Sequence, residues 1–218
     1  MTARGAIFGA IRKALGPQAA TPEAIATEAA ALVADRAAVQ PGFGGVGLIE
    51  RFIAKATSER VTATVARVAD FTGIPDEVRA YIDDNSLSTP VAVQPDELLN
   101  GLDWGGIAPV GNLAADGGLA VTRAEYGIAE TGSLAFRSAP EAPILLNFLP
   151  LHHLVVLKAD RILAYSEDLW PHLGGPGAPQ PRLLTLITGT SGTADIEARN
   201  IRGAHGPKNL RIILVGGS

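Results

Sequence analysis

From Val61 onward the chain alternates short β-branched runs with helical patterns, and that alternation leaves few folds open. Val61, Thr62, Thr64, Val65 and Val68 read as a first strand, because branched side chains pack well on a pleated surface. Residues 75–84 carry helical periodicity behind a proline, 89–93 read as a second strand, and 95–102 as a helix with Asp96 and Glu97 in its first turn. Strands of about five residues separated by helices of about ten call for crossover connections. The expected class is therefore α/β, with a Rossmann-like, mostly parallel sheet.

Leu119–Arg123 and Ser133–Phe136 read as neighbouring strands on either side of an acidic turn, Glu130-Thr131-Gly132-Ser133. Residues 142–149 and 165–172 read as helices. Leu154-Val155-Val156-Leu157 is the most apolar strand candidate and suits a central position covered on both faces. Leu183–Ile187 and Leu210–Val215 are expected to complete the same sheet.

The first part of the chain has a different character. Ile7, Phe8, Ile11 and Leu15 recur at helical spacing until Gly16-Pro17 stops the helix. Thr21-Pro22-Glu23 is a helix start, with a hydroxyl cap, a proline in the first turn and a carboxylate at the positive end of the dipole. Gln40-Pro-Gly-Phe-Gly-Gly45 has the composition of a linker, and Phe52 and Ile53 sit on a further helix. These features divide the chain into a helical extension and linker, 1–45, and an α/β domain, 46–218.

Composition excludes several functions. The 218 residues contain no cysteine, so this chain supplies neither disulfides nor thiolate ligands for zinc or an iron–sulfur cluster. A net charge of −4 with no lysine–arginine cluster argues against nucleic acid. No apolar run reaches membrane-spanning length. The basic, apolar N-terminus is broken by Arg12 and Lys13 and reads as a cytoplasmic amphipathic helix rather than an export signal. No dinucleotide fingerprint or phosphate-binding loop is present, so no cofactor is expected on this chain.

Two polar turns are candidate sites. Glu130 follows apolar Ile128-Ala129, which places it at a strand end, with Thr131, Gly132 and Ser133 as ligand-binding neighbours. There it either acts as acid, base or nucleophile, or accepts turn amides and locks a hairpin. The second turn holds Ser191, Thr193, Asp195 and Glu197 and reads as a strand-to-helix junction capped by Thr193. Such a junction cradles an anion, or its two acids simply satisfy the helix dipole. His152 and His153 are adjacent, so in a strand they point to opposite faces and do not share a metal. His205-Gly206-Pro207 lies in a loop before the last strand, where a catalytic histidine is plausible. Arg123 and Arg137 offer charge to a carboxylate ligand or form salt bridges. No metal site is assigned.

The order of Ala-Glu-Thr-Gly-Ser (129–133), Pro-x-His-His-Leu-Val-Val (150–156), Thr-Ala-Asp-Ile-Glu (193–197) and His-Gly-Pro (205–207) resembles the LutC/YkgG family of LUD-domain lactate-utilisation proteins. One departure is Thr188-Gly-Thr-Ser-Gly-Thr, where a Gly-Pro-Ser-Arg/Lys-Thr segment is expected. Thr190 and Gly192 replace the proline and the basic residue. The resemblance implies a sheet of the NagB/RpiA/CoA-transferase type. It also implies participation in oxidising L-lactate to pyruvate, beside partner proteins that carry iron–sulfur clusters. An alternative is a free-standing CoA-transferase-like enzyme using Glu130, with a small carboxylate or a CoA- or nucleotide-like ligand.

Overall fold

The computed structural model describes residues 2–16, 20–174, 178–196, 199–203 and 205–217, without the side chains of 33, 36, 194–196, 199 and 200. Its contacts divide the chain into two units, Met1–Gly42 and Phe43–Ser218. In the first unit, α1 (Ala3–Leu15) is capped by Thr2, whose hydroxyl accepts from the Gly5 amide. Helix α2 (Pro22–Ala34) starts at Thr21, whose side chain accepts from the Ala24 amide behind the N-terminal proline.

The second unit opens with α3 (Leu48–Ala56), followed by β1 (Thr64–Val68), α4 (Ile74–Asp84), β2 (Val91–Val93) and α5 (Glu97–Asn100). Next come β3 (Leu119–Arg123), β4 (Tyr126–Ile128), β5 (Ser133–Arg137), β6 (His152–Lys158) and β7 (Ile162–Leu163). The chain finishes with α6 (Leu169–His172), β8 (Leu184–Ile187), β9 (Gly192–Ile196), β10 (Arg199–Arg202) and β11 (Asn209–Val215).

Five strands form an all-parallel sheet in the order β1-β11-β6-β3-β2. The chain starts at one edge, crosses to the other through α4, and returns strand by strand. Side chains alternate across this sheet. On one face Val121, Leu154, Val156 and Ile213 pack against Ile74, Val78 and Tyr81 of α4. On the other, Val155, Leu157, Ile212 and Leu214 pack against Phe52 of α3 and Leu134 and Phe136 of β5. Leu154 to Leu157 are therefore fully buried at the sheet centre, as their apolar run predicts. Each such side chain contributes about 1.5–3 kcal/mol on burial.

A second sheet, β7-β4-β5-β8, lies beside the first and corrects two expectations. Leu119–Arg123 does not neighbour Ser133–Phe136: β4 takes that place, pairing antiparallel with β5 across the acidic turn. Strand β4 hides in the sequence because Gly127 interrupts it. A side chain there would collide with Leu157 and Phe52, so glycine admits the core beneath. Leu184–Ile187 pairs antiparallel with β5 rather than joining the parallel sheet. Residues 142–149 form only a short 3-10 turn, Ile144–Asn147, where prolines 143 and 150 bracket too few residues for a helix.

The expected helix start at Thr193 is also absent. Gly192–Ile196 is a strand, paired antiparallel with Arg199–Arg202. Thr193, Ala194, Asp195 and Ile196 alternate polar and apolar, and that period of two prevails over the capping pattern. Among the described residues no helix is long and apolar enough to cross a membrane.

Candidate functional site

The paired histidines enter β6 from its N-terminal end and divide between the two faces of the sheet. His152 Nδ1 lies 2.9 Å from the Tyr81 hydroxyl on the α4 side. Partial burial, and then the nearby Lys208 charge, lower its pKa. His153 is fully buried on the opposite face, its Nε2 2.7 Å from Thr122 Oγ1 and its ring beside Phe136. Burial pushes its pKa down to about 3, so it is a neutral imidazole. Its Nδ1 is buried, and among the described residues it has no hydrogen-bond partner. A buried polar atom left in that state is costly unless something else meets it.

His153 lines a cavity of about 220 Å³ together with Thr190, Ser191, His205 and Leu210. Three of the polar segments singled out in the sequence meet here. The Ser191 amide donates to the Pro207 carbonyl at 2.9 Å, and Gly206 sits against the Ser191 side chain. This contact ties the 188–191 loop to the 205–207 loop. Thr190 Oγ1 lies 2.8 Å from Thr62 Oγ1, and the Thr190 amide donates to the Val61 carbonyl. Thr62 holds φ at +62°, a strained value for a β-branched residue, so this wall is over-determined by its neighbours. Gly189, at φ +93°, packs so closely on Val61 that no side chain fits.

The acidic turn lies apart from this cavity but joins it through a row of hydroxyls. Thr131 Oγ1 is 2.6 Å from Ser133 Oγ, which is 2.6 Å from Thr188 Oγ1. Thr188 begins the loop that carries Thr190 and Ser191. Gly132, at φ +75°, presses on the end of α3. Glu130 points elsewhere: its carboxylate accepts from the amide and hydroxyl of Ser166, each at 3.4 Å. Glu130 does not line the cavity that holds His205. Thr193 lies in β9, Asp195 is in the same strand with its side chain outside the described residues, and Glu197 lies outside them altogether. Among the described residues no cluster of three His, Asp or Glu is placed to hold a metal.

The stretch that builds this cavity is also the stretch that matches known proteins. Residues 110–215 match the LUD domain. Over 98 residues the chain is 34% identical to Uncharacterized protein YkgG of Escherichia coli, covering 44% of this chain and 42% of that one. Over 97 residues it is 30% identical to Lactate utilization protein C of Deinococcus radiodurans, covering 44% and 45% respectively. Over residues 110–215 the chain is thus similar to LUD-domain proteins.

These alignments span less than half the length of the curated relatives. A crystal structure of a DUF162 family protein from Deinococcus radiodurans shares the fold, with a TM-score of 0.56 and 17% identity over 78% of this chain and 96% of that one. The LUD match begins before β3, so β1, α4 and β2 precede it, although they complete the same sheet. Of the residues singled out in the sequence, Ser191 and His205 line this cavity. It gave His153 no role beyond one of two histidines, because the missing partner at Nδ1 is a tertiary fact. It missed Asn147, which reads as part of a helix but lines the cavity wall.

Proposed function

We propose that the chain serves a cytoplasmic L-lactate oxidation system, in which lactate becomes pyruvate with the help of iron–sulfur partner proteins. What carries this reading is the coincidence of two features in residues 110–215. The LUD match, shared with relatives called Lactate utilization protein C, covers the residues that wall the His153–Ser191–His205 cavity. A volume of about 220 Å³ suits a small carboxylic acid better than a nucleotide or CoA, since drug-sized ligands occupy about 300–1,000 Å³. Two electrons and two protons must leave lactate. A chain without cysteine has no thiolate-held cluster of its own to receive the electrons, which supports a partner in that task.

The test is genetic and biochemical. Deleting the gene should abolish growth on L-lactate, and the native protein should co-purify with iron-containing proteins while the isolated chain holds neither iron nor flavin. Stoichiometric iron or flavin on the isolated chain would reject the division of labour, and normal growth of the deletion strain would reject the function.

Glu130 provides a sharper probe. Two hydrogen bonds of 3.4 Å leave most of the acceptor capacity of its carboxylate unused. The variant Glu130→Gln keeps an acceptor for Ser166, so its stability should stay within about 1 kcal/mol of the parent. Its complementation of lactate growth should nevertheless be lost. If Glu130→Gln unfolds or supports normal growth, Glu130 is a structural turn residue.

A further inference from the structure

A larger cavity, about 460 Å³, opens at the carboxyl ends of β2 and β3, the rim where open parallel sheets take ligands. Three arginines reach it, each clamped along one edge. Asp96 caps α5 with one oxygen, accepting from the Leu98 and Leu99 amides. Its other oxygen receives Arg123 Nε at 2.9 Å and Nη2 at 2.6 Å. The Gln94 side-chain oxygen accepts from the Arg123 amide and fixes the strand end. Arg137 grips both oxygens of Glu125 through Nε and Nη2. Arg161 donates Nη1 to the Tyr126 hydroxyl and lies over that ring at 5.5 Å. The clamped edges set the orientation of each guanidinium. Among the described residues Nη1 of Arg123 and Arg137, and Nε and Nη2 of Arg161, remain without partners.

The wall also holds Asn147, which is only 4% exposed. Among the described residues nothing hydrogen-bonds its side-chain amide, which leaves donors and an acceptor free for a ligand in the cavity. The charges balance: Asp96, Glu125 and Glu141 oppose the three arginines. A polyphosphate would meet three carboxylates here, whereas a singly charged ligand rich in hydroxyls would meet acceptors as well as donors. Guanidinium, carboxylate and amide groups are planar and two-pronged, which matches a carboxylate or a pair of adjacent hydroxyls.

We propose that this cavity binds a hydroxylated monocarboxylate larger than lactate, of the sugar-acid class, with its carboxylate on the free edges of Arg137 and Arg161 and its hydroxyls on Glu125, Glu141 and Asn147. The site stands apart from the lactate reading, and the two fail separately. The experiment is calorimetric titration of the full chain with gluconate, beside glucose, L-lactate and pyrophosphate. Gluconate should bind saturably and more tightly than the other three. Arg161→Ala and Glu141→Ala, both exposed positions outside the core, should each weaken it about tenfold, the effect of losing one charge-assisted contact. Absence of gluconate binding at millimolar concentration overturns the proposal. So does tighter binding of pyrophosphate, or unchanged affinity in both variants.

Discussion

Replacing His153 by glutamine should flatten the acid limb of the stability profile. His153 is held neutral in the fold, with a pKa lowered to about 3 by burial, while in the unfolded chain it takes up a proton near pH 6.5. Below pH 6.5 the unfolded state thus binds the extra proton. Stability is complete above that pH and falls by about 1.4 kcal/mol per unit as the pH drops, until the folded form protonates near 3. His152 shifts in the same direction and adds a slope of the same sign that persists in the variant. Glutamine can keep a bond to Thr122 but does not titrate. Urea unfolding at pH 7 and pH 5 measures the difference. An identical pH slope in wild type and His153→Gln would show that the acid sensitivity arises elsewhere.

Gly132→Ala should cost about 3 kcal/mol or more, the sum of an unfavourable backbone angle and a steric collision. The residue holds φ at +75°, and an added Cβ would fall 2.5 Å from the Ala56 amide nitrogen and 2.8 Å from the Lys55 carbonyl carbon. Those atoms belong to the last turn of α3, whose Phe52 and Ala56 are fully buried, so the helix cannot simply retreat. Gly216→Ala is the matched control: its φ of +77° carries the same backbone penalty with nothing within 4 Å. Thermal unfolding should show the Gly132 variant far below the Gly216 variant. Equal losses would mean that the hairpin and α3 adjust freely, and Gly132 could then be read as a ligand-facing amide.

The parallel sheet was legible because β6 and β11 are buried on both faces at their centres, so each carries a four-residue apolar run, Leu154–Leu157 and Ile212–Val215. The second sheet was not. Strands of two or three residues such as β7 and β4 are too short to establish a period, and Gly127 breaks the only clue. At Thr193–Ile196 hydroxyl and carboxylate spacing imitated a helix cap, and pairing with Arg199–Arg202 decided otherwise. The sites show the same division. Ser191 and His205 stood out because their polar segments are compact in sequence. The arginine-lined cavity joins Gln94 and Asp96 to Glu125, Arg137 and Arg161 across two crossovers; Arg123 and Arg137 were legible as charge for a carboxylate ligand or as salt bridges, and Asp96 only as a helix-start carboxylate.

The strand order has a consequence for synthesis on the ribosome. The last strand, β11, sits between β1 and β6, so Thr64 waits for Arg211 before its edge of the sheet closes. While most of the chain is being translated, β1 has no partner and β6 lacks one of its two. Both then present unpaired strand edges to a stray chain. Pairings this distant in sequence close slowly. The nascent protein therefore passes through a long interval with open strand edges, and loss of β11 would leave β1 without any partner.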